Sequence, residues 1–126
     1  MNFENLTGTE KTRIIQELVP GKQITLAHII ANPDEILYKK LGLDPSVDYS
    51  QHKCAIGLVT MSPAEYAIIG ADLAIKKSGA NLGFVDRFSG TLIVTGTVSE
   101  VEASLNAVTE YAEKTLGFKV CPVTRT

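Results

Sequence analysis

Leu82-Gly83-Phe84-Val85-Asp86-Arg87-Phe88-Ser89-Gly90-Thr91-Leu92-Ile93-Val94-Thr95-Gly96-Thr97-Val98 is the stretch on which the fold turns. Leu82 to Phe88 and Thr91 to Val98 are rich in β-branched and aromatic residues. Ser89-Gly90 between them is a turn pair, so the stretch predicts a β-hairpin. Directly after it, Ser99-Glu100-Val101-Glu102 predicts a capped helix start. Val101, Leu105, Val108, Ala112 and Leu116 then recur at helical spacing up to Gly117, so the hairpin feeds an amphipathic helix.

Working backward, Ser62-Pro63-Ala64-Glu65 predicts another capping box, opening a helix that carries Tyr66, Ile69, Leu73 and Lys76 and closes at Gly79. Ala55 to Met61 predicts the strand before it. The resulting βαββα order is half of a ferredoxin-like sandwich, α+β in class, with helices over one face of an antiparallel sheet. Ile24-Thr25-Leu26-Ala27-His28-Ile29-Ile30 supplies the missing strand, followed by a helix with Asn32 as cap, Pro33 in its first turn and Gly42 as its stop. Because this βα unit precedes the core, the order predicts a circularly permuted topology.

Two flanking strands complete the reading. Arg13 to Val19 is a short one stopped by Pro20-Gly21, and Lys119 to Thr124 is one that Pro122 confines to an edge. The expected organisation is a leader at 1–12 and a single domain at 13–126. Within that domain 13–21 is an added strand, 22–42 a βα unit, 43–53 a polar linker, and 54–126 the core and C-terminal segment.

A chain of 126 residues fits one domain and buries a core without staples. With 44% hydrophobic residues, 10 Gly and 5 Pro, collagen-like and disordered classes are excluded. Lys+Arg 12 against Asp+Glu 14 argues against a nucleic-acid footprint or a polybasic membrane surface. A mean hydropathy of +0.11 with 21% charged residues points to surface covered by other subunits. So does the apolar run Ala67-Ile68-Ile69-Gly70-Ala71-Asp72-Leu73-Ala74-Ile75, which leaves apolar area exposed on a lone copy. No apolar stretch reaches the ~18 residues of a membrane helix. Cys54 and Cys121 lack CxxC or His-pair spacing, so neither a disulfide nor a zinc site is expected. With no signal-peptide pattern at Met1-Asn2-Phe3-Glu4-Asn5-Leu6, they imply a reducing cytoplasm.

Catalytic patterns are absent from the sequence: there is no nucleophile elbow, P-loop or GxGxxG. His28 reads as a structural histidine in a strand, His52 as a solvated one, and both cysteines as small hydrophobes. Gly57, Gly70, Gly83 and Gly96 read as places of close backbone packing, and Asp86-Arg87 as a structural ion pair across a subunit contact rather than an active-site pair. No cofactor and no metal are expected.

Arg13-Ile14-Ile15-Gln16-Glu17, Pro20-Gly21-Lys22-Gln23, Thr25-Leu26-Ala27-His28 and Gly83-Phe84-Val85-Asp86-Arg87-Phe88-Ser89-Gly90 carry a specific resemblance. The chain resembles the circularly permuted bacterial microcompartment (BMC) domain shell proteins of ethanolamine- and propanediol-utilisation operons. The resemblance implies a cyclic homohexamer that tiles a protein shell together with other shell proteins, in the cytoplasm, around encapsulated enzymes. It implies that Phe88, Ser89 and Gly90 line the central pore, and that Lys76 mediates contact at the hexamer edge. Asn32 stands where ordinary members carry an arginine partner. It further implies that Arg13 to Val19 joins five copies in an axial β-barrel, with Ile14, Ile15, Leu18 and Val19 as its apolar residues. The expected function is structural, without catalysis. The competing expectation is an oligomeric ferredoxin-like sensor that binds a small molecule between subunits.

Overall fold

A computed structural model of the chain describes residues 21–43 and 54–126. The leader at 1–12, the strand at 13–19 with Ile14, Ile15, Leu18 and Val19, the linker from 44 to 53 and His52 lie outside the described residues. The elements are β1 (Gln23–Ile30), α1 (Glu35–Leu41), β2 (Ala55–Ser62), α2 (Tyr66–Ser78), β3 (Asn81–Asp86), β4 (Thr91–Gly96), α3 (Val98–Lys114) and β5 (Thr124–Arg125). Mixed α and β with one open sheet is the class expected from the sequence.

The five strands form one sheet in the order β3-β4-β2-β1-β5. β1 pairs antiparallel with β2 from Gln23↔Ser62 to Ile30↔Ile56, so the early strand does complete the core sheet. β5 adds to its far side in parallel at the sheet edge, sharing only Thr124 with the Lys119–Thr124 span read from sequence, where Lys119 makes an isolated parallel bridge to Gln23.

Alternation along β2 and β4 divides the core. Ala55, Val59, Met61, Leu92 and Val94 pack with Val101, Leu105, Val108 and Ala112 of α3 and Ala71 and Ala74 of α2. Each fully buried Val, Leu or Ile here contributes about 1.5–3 kcal/mol relative to exposure. Gly57 is demanded by this packing, since a Cβ there would lie 2.7 Å from both Leu105 Cδ1 and Val101 Cγ1. The alternate residues, Cys54, Ile56 and Ile93, form a second cluster with Tyr38 of α1 and with Leu43. Helices therefore cover both faces, not one: α2 and α3 on one, the short α1 on part of the other. Leu43, read as the start of a polar linker, is 5% exposed because it seals this second cluster.

Three helix starts differ from the sequence expectation. Asp34 rather than Asn32 caps α1, its carboxylate accepting from the Ile36 amide at 3.1 Å. Ser62 is the last residue of β2 and caps nothing; α2 starts after Glu65 without a side-chain cap. In α3 the capping box is Thr97 with Glu100, two residues ahead of the expected Ser99, with the two side chain to backbone bonds at 3.1 and 2.9 Å. The helix stops agree better: Gly42 and Gly79 are the C-caps of α1 and α2, both at positive φ.

Candidate functional site

The β3–β4 turn is longer than the Ser89-Gly90 pair suggested, because β3 stops at Asp86 and leaves Arg87 and Phe88 in the turn. The Asp86 carboxylate ends the strand by accepting from the Phe88 amide at 2.9 Å, and the Asp86 carbonyl accepts from the Gly90 amide at 2.9 Å. The Phe88 amide, then the Ser89 hydroxyl, hold the Asp86 carboxyl below the usual carboxylate range. The Ser89 amide and Arg87 act in the same direction against partial desolvation. Asp86 is thus committed to the turn, and Arg87 lies over the Phe88 ring, 5.0 Å from its centroid. Phe88 is 81% exposed, the most exposed large hydrophobic among the described residues.

Gly90 locks the turn onto the rest of the sheet. It has φ +77, its carbonyl accepts from the Met61 amide at 2.8 Å, and Ala64 lies against it. The Ser89 hydroxyl donates to Thr91 Oγ1 at 3.0 Å. Phe88, Ser89 and Gly90 are therefore brought together at one rigid tip, with Phe88 and Ser89 outermost and Gly90 buried beneath them.

Lys76 lies in the last turn of α2, and its ammonium meets Asp72 Oδ2 one turn earlier at 2.9 Å, both side chains well exposed. Around this pair Ile68 (52% exposed), Ile69 and Ile75 present the uncovered apolar surface that the run from Ala67 to Ile75 foreshadowed. Asn32 is exposed in the loop between β1 and α1. What the sequence reading missed is the turn role of Asp86 and the seating of Gly90 on Met61. An Asp three residues before the Ser89-Gly90 pair was the available signal for the first; nothing local announces the second.

Cys54 is buried, and burial first, then the charge of Glu100, pushes its thiol up. Its carbonyl accepts from the Tyr38 hydroxyl. Among the described residues no group of three His, Cys, Asp or Glu side chains is placed to hold a metal ion, and no helix is long and apolar enough to cross a membrane.

A sheet completed on one side by a strand that precedes it, backed by two helices and tipped by a rigid hairpin, is the BMC domain in permuted form. The sequence profile of the BMC domain matches residues 55–124, from the first residue of β2 to the first of β5. The chain is 48% identical over 114 residues to the bacterial microcompartment shell protein PduU of Salmonella typhimurium, covering 90% of this chain and 93% of that one. A solved CutR flat hexamer superposes with a TM-score of 0.77 at 47% identity, over 90% of this chain and 99% of the other. A fused permuted hexameric shell protein of the RMM microcompartment shares the fold, with a TM-score of 0.60 at 18% identity. This chain belongs to the BMC domain family.

Proposed function

We propose that the chain is a structural subunit of a bacterial microcompartment shell, assembling as a cyclic homohexamer that tiles with other shell proteins. The observation that carries this reading is the likeness to shell proteins along nine-tenths of the chain, in sequence and in backbone alike. The uncovered isoleucines of α2 support it, because a lone copy leaves that apolar surface in water.

In this reading Phe88, Ser89 and Gly90 meet their symmetry mates at the axis. The support is mechanical: a turn pinned at Asp86 and at Met61 presents a rigid tip. Lys76 acts at the hexamer edge on the same helix as exposed Ile69 and Ile75, its head free to donate two further hydrogen bonds beyond Asp72. Asn32 stands in the loop between β1 and α1, where a neutral amide in place of a cation would make the edge less positive. Ile14, Ile15, Leu18 and Val19 belong to the axial barrel, six short strands enclosing too little space for an aqueous channel. The role is structural rather than catalytic: the ring nitrogens of His28 and the carboxylate of Asp86 are spent on holding backbone segments.

Native mass spectrometry of the full chain tests the assembly. A species of about 82 kDa, six copies of a 13.6 kDa chain, is expected, with hexagonal sheets or tubes by electron microscopy. A stable monomer or dimer at micromolar concentration overturns it, and a small discrete oligomer without arrays favours the sensor.

A further inference from the structure

We propose that the segment from Lys119 to Thr126 is an edge guard over β1, pinned by His28, and that it keeps a second copy's β1 from pairing along the same edge.

β1 reads Gln-Ile-Thr-Leu-Ala-His-Ile-Ile, with no Asp, Glu, Lys, Arg, Pro or Gly in its eight residues. An uncharged, β-branched strand of this kind is a template for another strand when its edge is open. One side of β1 is satisfied by β2. The other is satisfied by the C-terminal segment, gripped at both ends. At the first end the Ile24 amide donates to the Lys119 carbonyl and the Lys119 amide to the Lys22 carbonyl. At the second, the Thr126 amide donates to the Ile29 carbonyl and the Ala31 amide to the Thr126 carbonyl, all four at 2.9 Å.

Little apolar burial holds the second end, since Thr124, Arg125 and Thr126 are all exposed. What fixes it is the His28 ring. Nδ1 lies 2.6 Å from Thr124 Oγ1 and Nε2 lies 2.9 Å from Thr126 Oγ1. In either neutral tautomer one hydroxyl accepts from the ring N–H and the other donates to the bare nitrogen, so both ring nitrogens are satisfied while the segment is docked. These contacts join residues 96 and 98 positions apart.

The occupant that replaces a lost guard is β1 of a second copy. Two identical edges pair antiparallel about a two-fold axis and satisfy each other's amides and carbonyls. No charge on either strand opposes this, and Leu26, 40% exposed on β1, gains cover.

Hydrogen exchange and native mass spectrometry on the full chain test the proposal, using His28→Ala and the near-isosteric pair Thr124→Val with Thr126→Val. Expected is exchange at the Ala31 amide faster by about tenfold or more, together with species larger than the wild-type assembly that grow with concentration. Added in trans to the Thr124→Val, Thr126→Val chain, which keeps the His28 ring, a peptide of residues 118–126 should suppress those species, while the same peptide with Val at 124 and 126 should not. Unchanged exchange in both variants overturns the pin, and so does equal suppression by both peptides. Faster exchange with no new species overturns the guard. Should His28→Ala fail to fold, the double Thr→Val chain decides alone, because it keeps the strand residues and the ring.

Discussion

A methyl group placed on Gly90 would stand 2.1 Å from the carbonyl oxygen of Met61. The two residues belong to different strand ends, yet the Met61 amide also donates to the Gly90 carbonyl, so the turn is seated on the end of β2 rather than hanging free. In the proposed hexamer a tip that meets five symmetry mates would need this kind of fixed position.

Gly90→Ala is therefore expected to cost about 2 kcal/mol or more, from the clash with backbone and the positive φ together. Ser89→Ala, which loses only exposed hydrogen bonding of its hydroxyl to Thr91 and Asp86, should stay within about 1 kcal/mol. Urea unfolding of both variants checks this; equal midpoints would mean that the turn moves freely.

Asp86 gives a pH signature at the same tip. Its carboxyl is held low in the folded chain, so the stabilisation is present above the ordinary Asp range near ~3.9 and fades as pH falls through the lower folded value. A carboxyl carbon titration by NMR should place Asp86 below free Asp. Asp86→Asn should keep the turn through its amide oxygen while removing that acid-side transition. A midpoint at or above the free value would contradict the Phe88 amide bond.

How much of this was legible beforehand depended on whether the signal was local. Gly42 and Gly79 announced their helix stops because a left-handed residue there favours glycine. Helix starts were misplaced because several residues can cap: Asn32 and Asp34, or Thr97 and Ser99, compete, and backbone geometry chooses. Ser62 looked like a cap but was taken by the ladder opposite Gln23. The letters of the hairpin tip were readable. Its length was not, because the Asp86 carboxylate, rather than the β-propensity of Phe88, ends the strand. The second core cluster under Tyr38 could not be read, since it follows from strand register.

The two cysteines should react very differently. Cys54 is buried with a raised thiol, whereas Cys121, within the C-terminal segment, is partly exposed. A chromogenic disulfide reagent at neutral pH should titrate one thiol per native chain quickly and the second on denaturation. Two fast thiols in the native chain would mean that the cluster around Tyr38 opens readily.

The α3 capping box offers a clean stability test, because Thr97 and Glu100 satisfy each other's backbone amides at the mouth of the most deeply packed helix. Thr97→Ala should cost about 1 kcal/mol. Thr95→Val should go the other way by roughly 1 kcal/mol, since Thr95 Oγ1 is fully buried with no hydrogen-bond partner among the described residues. Thermal unfolding orders the two variants on opposite sides of the parent chain; the same sign for both would refute the account of one of them.

Lys76 separates folding from tiling. Its ion pair with Asp72 is exposed on both sides, so it adds at most a few tenths of a kcal/mol to the helix, and losing it should barely change stability. Under the proposed assembly the same side chain would also join neighbouring rings at the hexamer edge, its stem packing and its remaining protons reaching across. Lys76→Asp inserts a like charge beside Asp72 and should leave the mass of the closed ring unchanged while abolishing sheets and tubes under the electron microscope. Lys77→Asp changes the chain's charge by the same amount, one residue further along the same helix turn, and should retain arrays. Arrays surviving in Lys76→Asp, or lost equally in both variants, would remove Lys76 from the edge and reduce it to a solvated lysine at a helix C-terminus.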